Sequence, residues 1–539
     1  MKNFITKIIK KDLLNKKIHK IKTRFPPEPN GYLHIGHAIS IFLNFEIAKY
    51  FKGECYLRFD DTNPNVNGKK YINSIKKDIN WLGFTWDDKE KYASDYFDIF
   101  YYYAVKLIKK NLAYVDELSK EEIKKFRGTI KEKGIASPYR NRSVKKNLQM
   151  FEKMKMGEIQ EGKACLRAKI NMHSPSLVLR DPVLYRIRFK EHYKTKKDWI
   201  IYPTYDFSHC ISDAIEGITH SLCTIEFQEN RYLYNWILKN LEIQNFSKQY
   251  EFSRLNIEYN VTSKRFIKKL IKNKIIQNWK DPRILTISSL KNRGYTSDTI
   301  IEFCKKIGIT KKEKNISISV LQNCARKKLE NCFRVMAIIN PIKVVIESIP
   351  DNFVKVIEVY NHPKKKDFGK RKIIFTKEIY IEKSDFSTIE KKNYKRLVLG
   401  KKVKLRYSYI IKAKKIIQDK FGNIVTILCK HYENKSLKSI KNIGIIHWIS
   451  KKYAKKAIFY IYKNLFNKKF PEYKENLCSQ IKKNSLVKKL GFIDISSKIL
   501  RKKRFQFERI GYFIFDKSLS KINKTLVFRK IVGIKKKIF

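Results

Sequence analysis

Arg24-Phe25-Pro26-Pro27-Glu28-Pro29-Asn30-Gly31-Tyr32-Leu33-His34-Ile35-Gly36-His37 decides how this chain is read. An extended run, residues 21–25, meets a loop stiffened by Pro26, Pro27 and Pro29. Proline fixes φ and removes a backbone donor, so helix cannot propagate backwards through that loop. Beyond it Ala38, Ile41, Phe42, Phe45 and Ala48 follow with helical spacing, which predicts a helix starting near Leu33. The start of such a helix offers unpaired N–H groups and a positive dipole end, a setting that suits a phosphate. His34 and His37 fall on one face of its first turn, and Gly36 between them lets a flat ligand approach the backbone. No third ligand lies at metal spacing, which argues against a zinc pair. Alone, the motif also fits the plain beginning of a buried helix, so the rest of the chain has to decide.

The length of 539 residues allows several domains, and no stretch is apolar enough to span a bilayer. Residues 1–20 alternate lysine with isoleucine and leucine without an apolar core. They read as a basic amphipathic helix or disordered lead and not as a secretory signal. The nine cysteines are scattered with no Cys-x-x-Cys, which points to reduced thiols in a cytoplasmic protein. The formal charge of +67 is spread along the whole chain. Lys, Ile, Asn, Tyr and Phe are abundant together, so A+T-rich coding is read as its larger source. The charge permits a polyanionic partner without establishing one.

Cys55, Leu57 and Phe59 alternate as a strand does and lead into Asp60-Asp61-Thr62-Asn63-Pro64. Acids at the carboxyl end of a parallel strand sit where ligands bind, although this run is also rich in turn and cap signals. One aspartate can cap while the other binds. Residues 71–113 read as helices, with the aromatic run Tyr96 to Tyr103 as core. From about Val115 to Ile201 short segments with basic punctuation suggest a separate insertion, after which α/β texture returns through Tyr202-Pro203-Thr204-Tyr205-Asp206-Phe207. Residues 266–340 read as mostly helical, with Gly294 as a stop signal. Beyond 340, short strands such as Val403-Lys404-Leu405-Arg406 suggest antiparallel barrels.

Taken in order, these motifs resemble the glutaminyl-tRNA synthetases, a family of class I aminoacyl-tRNA synthetases. Arg24 to His37 matches the family signature, and Arg58 to Pro64, Tyr202 to Phe207, Cys210 to Phe227 and Phe252 to Tyr259 match further blocks. Val261-Thr262-Ser263-Lys264-Arg265 looks like its mobile loop. Tyr394 to Gly400 and Phe505 to Arg509 extend the resemblance over nearly everything past Lys20. Two departures stand out: Thr262 replaces the usual methionine, and Ile39 the usual lysine.

The resemblance implies a multidomain α/β plus β protein. Its parts would be a basic lead at 1–20 and a doubly wound, Rossmann-like catalytic domain at 21–114 and 202–260. An acceptor-binding insertion would span 115–201. The mobile loop and a helical subdomain would occupy 261–340, and two anticodon-binding antiparallel β-barrels 341–539. It implies ATP-dependent ligation of L-glutamine to tRNA(Gln), with Mg²⁺ accompanying ATP and no dedicated metal site, by a cytoplasmic monomer with no membrane partner. By the same match His34, His37 and Lys264 are the catalytic residues. Glu28, Pro29, Asn30, Ile35, Gly36, Ala38, Ile39, Ser40, Thr224, Arg254, Leu255, Thr262 and Ser263 would complete the ATP site.

Asp60 would hold the substrate ammonium and Tyr205 the side-chain amide, with Arg24 and Cys223 nearby. Arg334, Asn393, Lys395, Arg396 and Lys530 match the anticodon readers. Glutamyl-tRNA synthetases of the archaeal and eukaryotic kind are the nearest rival. A buried carboxylate needs a cation, and in that rival an arginine stands where Cys223 stands here. An inactive RNA-binding paralogue is the other alternative, against which His34, His37, Asp60 and Lys264 count together.

Overall fold

The computed structural model describes residues 3–65, 68–243, 247–390, 392–433, 443–472 and 479–534. Met1 and Lys2 of the basic lead, Cys478, and parts of the 341–539 region lie outside them. The lead forms a helix, Phe4–Leu14, capped by Asn3. Ile5 and Ile9 are fully buried in the main core, and the Asp12 carboxylate meets His220 at 3.4 Å.

The first strand, Lys22–Phe25, runs parallel to Glu54–Phe59, which in turn runs parallel to Lys91–Tyr92. A second parallel pair joins His220–Thr224 to Lys248–Phe252. The two sets meet where the Thr219 N–H donates to the Lys22 carbonyl at 3.0 Å. The chain therefore leaves the first strand toward one side, through the signature helix, while a strand almost two hundred residues later closes the other side. Strand order reverses there, and such a reversal opens a crevice at the carboxyl ends of the strands.

The signature helix spans Ile35–Tyr50, with His34 as its N-cap. It starts two residues later than the apolar spacing predicts. The cause is tertiary: the Ile35 N–H donates to Leu285 and the Ile287 N–H donates to Leu33, so Leu33 is extended against the distant segment 285–287.

Between Lys109 and Tyr205 the chain builds an antiparallel sheet from Ala113–Asp116, Cys165–Ala168, Val183–Ile187 and Ile201–Pro203. Inside it the buried Arg167 guanidinium bonds the Asp116 carboxylate at 2.6 Å. The helical segment contributes Lys264–Lys272, Ile287–Arg293, Ser297–Ile307 and Ile318–Leu329. Gly294 ends the second of these at φ 106°, and a Cβ there would lie 2.8 Å from Ile531 and 2.9 Å from Ile514.

The C-terminal region forms two seven-stranded, nearly closed barrels. Antiparallel pairings dominate, but each sheet also holds two parallel ones, for example Lys455–Tyr462 beside Leu526–Gly533. Parallel neighbours need long connections, and the chain supplies them by nesting. It enters one barrel at Phe333–Val335 and Ala337–Ile338, completes the other between Pro341–Ile346 and Trp448–Ser450, then returns to finish the first. In each barrel both sheet edges belong to one kinked segment, broken at Met336 in the first and at His447 in the nested one. The kinks touch, with His447 Nε2 2.9 Å from the Ala337 carbonyl.

Candidate active site

A cleft of about 750 Å³ lies over the reversal of strand order. His34 and His37 line it, their rings 3.8 Å apart. Their orientation is set by the helix start: His34 Nδ1 accepts from the Gly36 N–H, and His37 Nδ1 accepts from the His34 N–H, each at 3.1 Å. Burial, with Lys264 and Arg254 adding, pushes His34 down to about 3, and burial with His34 and Lys264 takes His37 well below its ordinary value. Both rings are therefore neutral. Because each Nδ1 is an acceptor, the single ring proton sits on Nε2 and remains available as a donor. A Cβ on Gly36 would stand 2.9 Å from the His34 ring, so glycine here first makes room for the histidine itself.

Lys264 is the first residue of its helix, and Nζ reaches back to the signature loop. It donates to the Glu28 carbonyl at 3.3 Å and to the Asn30 side-chain oxygen. Its stem passes over Gly31, beside Trp279, which stacks on Tyr32 at 5.8 Å. Burial lowers Lys264 to about 8, with Glu28 opposing the shift.

The two aspartates divide their work. Asp61 accepts from the Ser94 N–H and hydroxyl and from the Tyr193 hydroxyl at 2.7–2.8 Å, which ties it to the scaffold. Asp60 lines the cleft and has one side-chain partner of its own, the Thr62 hydroxyl at 3.3 Å. Burial raises its carboxyl to about 7, against the pull of Arg58.

Arg24 is fully buried and nearly spent. Nε donates to Asp213 at 2.9 Å, Nη1 to the Leu222 carbonyl at 3.0 Å, and Nη2 contacts Ser221 and His209 at 2.7 Å each. Arg58 shares Asp213 at 2.7 Å and takes Glu216 at 2.8 Å, so two cations meet two carboxylates beneath the cleft. Cys223 lines the same wall with its thiol 3.9 Å from the Tyr250 carbonyl, and burial pushes that thiol up to about 12, so it is uncharged. Tyr205 lines the cleft and stacks on His209, ring centroids 4.7 Å apart.

Of the remaining predicted residues, Glu28, Asn30, Ile39, Ser40, Thr224, Leu255, Thr262 and Ser263 line the cleft. Arg254 does too, paired with Glu226 at 2.6 Å. Pro29, Ile35 and Ala38 do not; they are buried beneath it and support the loop and helix. No local sequence signal singles out Arg186 and Tyr202, which reach the cleft from the inserted sheet, or His209, Asp213 and Glu216 below it. Arg58 stood inside a recognised motif without a role, and its two carboxylates lie more than 150 positions away.

Of the five predicted anticodon residues, Arg334 and Lys530 lie on strands of the first barrel, and Asn393, Lys395 and Arg396 lie between Phe386–Ser387 and Leu397–Val398, a two-stranded sheet within the nested region. Arg396 bonds Asp385, a fully buried carboxylate that also takes Arg509 at 2.6 and 2.9 Å. Asn393 sits at φ 63°, in the left-handed region that asparagine tolerates. Arg334 lies on a strand paired with Phe505–Phe507, and Lys395 follows Asn393 in the same turn region. Burial, with Arg293 adding, lowers Lys530.

Three family models match in succession. The catalytic domain of the class I (E and Q) tRNA synthetases covers residues 20–331, and two anticodon-binding domains of the same group cover 332–432 and 445–516. The chain belongs to the class I (E and Q) tRNA synthetase family. The synthetase is 54% identical to a glutamine–tRNA ligase of Buchnera aphidicola subsp. Acyrthosiphon pisum (strain Tuc7), over 99% of this chain and 95% of that one. It is 52% identical to a glutamine–tRNA ligase of Proteus mirabilis (strain HI4320), over 99% and 97%. A solved glutamate–tRNA synthetase from Elizabethkingia anophelis aligns over 58% of this chain and 71% of its own, with 18% identity and a TM-score of 0.44.

Proposed function

We infer that the chain is a glutamine–tRNA ligase. It activates L-glutamine with ATP to glutaminyl-adenylate and pyrophosphate, then transfers the acyl group to the 3′-terminal adenosine of tRNA(Gln), releasing AMP. The observation that carries the choice of amino acid is the uncharged wall of Tyr205 and Cys223 beside an arginine already matched by Asp213. A glutamate carboxylate would enter that wall without a cation of its own, whereas an amide pairs with neutral donors and acceptors at little cost. Full-length relatives bearing the same name support this reading.

The chemistry asks for positioning and charge stabilisation, with no side-chain nucleophile. His34 and His37 donate from Nε2 to phosphate oxygens as charge develops in the transition state. Lys264 leaves Glu28 and Asn30 for the departing pyrophosphate, and Asp60, ionised, holds the substrate ammonium. Glu28, Asn30, Gly36, Ile39, Ser40, Thr224, Arg254, Leu255, Thr262 and Ser263 surround the nucleotide.

Among the described residues no group of His, Cys, Asp and Glu could hold a metal. Glu28 and Glu226 are single carboxylates on the nucleotide side, a donor set that fits Mg²⁺ carried on phosphates and water. When bound, the ion would share the pyrophosphate's charge.

The inserted segment 115–201 holds the acceptor end in this reading. The barrels read the anticodon through Arg334, Asn393, Lys395, Arg396 and Lys530, to which Arg509 is added because it shares Asp385. The enzyme works as a cytoplasmic monomer; among the described residues no helix is long and apolar enough to cross a membrane. ATP–pyrophosphate exchange with tRNA present tests the reading. Exchange driven by glutamine and not by glutamate is expected, and a response to glutamate alone overturns it.

A further inference from the structure

We propose that His209 is a specificity-determining positioning residue, holding the Tyr205 ring and the Arg24 guanidinium in the register that reads the substrate's side-chain amide. The proposal rests on the ligase reading above and adds a residue that never touches the substrate.

Tyr205 and His209 lie four apart on the helix Tyr205–Ile215, so they are stacked neighbours on one face. Their rings are stacked and nearly parallel, 20° apart, with centroids at 4.7 Å. Phe227 flanks the tyrosine at 5.3 Å and Tyr234 the histidine at 6.2 Å. Tyr205 lines the cleft while its ring stacks on the imidazole, so His209 fixes the plane in which its hydroxyl moves.

The Nε2 edge of the imidazole is held as well as its face. Nε2 lies 2.7 Å from Arg24 Nη2, and Nδ1 lies 3.1 Å from Arg58 Nη2. A neutral imidazole has one lone pair for two guanidinium donors. The shorter contact is the hydrogen bond, which makes Nε2 the acceptor for Arg24. Burial and the two arginines push His209 down to about 3, against the opposing pull of Asp213, so it adds no charge to the grid.

The consequence concerns selectivity. The cations Arg24 and Arg58 are matched by Asp213 and Glu216, and His209 takes one Arg24 N–H without adding charge. Remove its acceptor, and Arg24 Nη2 has an N–H to offer elsewhere; remove its ring, and Tyr205 can tilt. Both changes act on the glutamine end of the cleft and leave the His34, His37 and Lys264 end alone.

Full-length His209→Gln keeps an oxygen acceptor near the Nε2 position but has no ring for Tyr205. In tRNA-dependent ATP–pyrophosphate exchange, KM for glutamine is expected to rise about tenfold or more, with KM for ATP moving less than twofold. His209→Phe keeps the ring and loses the acceptor, and its ratio of glutamine to glutamate kcat/KM is expected to fall by a similar factor. A loss of packing alone would move all substrates together.

The double variant His209→Gln/Tyr205→Phe isolates the route: His209→Gln should add less than threefold to KM for glutamine once the hydroxyl is gone. An unchanged KM for glutamine in folded His209→Gln, or full additivity in the double variant, overturns the proposal. If His209→Gln does not accumulate as folded protein, His209→Asn is judged by the same two criteria. A wild-type chain that exchanges with no glutamine dependence refutes the ligase reading instead.

Discussion

Asp60 is a carboxyl group whose burial is only half compensated. With its pKa raised to about 7, the free protein carries it protonated below that pH, and an incoming ammonium must first displace the proton. The kcat/KM for glutamine should therefore fall about tenfold per pH unit below about 7, while kcat/KM for ATP keeps its value. Lys264, lowered to about 8, sets the opposite limb: above that pH it loses the charge it needs for pyrophosphate. Asp60→Asn should abolish the acid limb and cost at least about a hundredfold in kcat/KM for glutamine. Lys264→Arg, whose guanidinium stays charged, should abolish the basic limb. A flat profile between pH 6 and 9 in the unaltered protein would contradict both assignments.

Much of this end of the cleft was legible because it is local. His34, Gly36 and His37 read each other through hydrogen bonds spanning two and three positions, and Asp60 follows a strand with plain alternation. What was not legible was division of labour. Nothing in Asp60-Asp61 says which one faces the cleft; that is decided by Ser94 and Tyr193, which claim Asp61 from 33 and 132 positions away. Nor does the sequence around Arg24 announce its partners Asp213, Ser221 and Leu222, which lie 189, 197 and 198 positions away.

At the scale of elements, sequence pattern located helices and missed their exact ends for tertiary reasons. The signature helix gives up Leu33 to the pairing with residues 285–287, which no helical spacing can announce. Gly294 is the stop that the sequence predicts, but the contact that makes glycine necessary comes from Ile514 and Ile531 in the first barrel. Gly294→Ala should destabilise the protein by about 1–3 kcal/mol, from the left-handed backbone and the crowding together. Thermal unfolding measures the loss. An unchanged midpoint would mean that the barrel yields to the methyl group, and the helix–barrel seam is looser than its distances imply.

For the whole molecule, short strands after residue 340 announced barrels but not their connectivity. Strand lengths and turns carry no record of which edge closes on which, and the interruption at Asn340 looks like any other turn. The domain built from 341–450 has both its ends beside the strand Leu486–Ile493 of the first barrel: Ala337 and Lys455 each pair with Ile493. That makes it a guest whose entry and exit share one doorway.

A guest of this kind can be removed, whereas its host cannot be shortened. Replacing 341–450 by a short glycine–serine linker should leave a soluble protein that still activates its amino acid and loses anticodon discrimination. Ending the chain after Ser450 strips the host barrel of all but its two opening strands, exposes the faces of Val335 and Ala337, and should give aggregation. Circular dichroism with size-exclusion chromatography separates the two outcomes, and the reverse pattern would sink the account. Evolution meets the same asymmetry: loss of sequence is survivable inside the guest and ruinous at the tail.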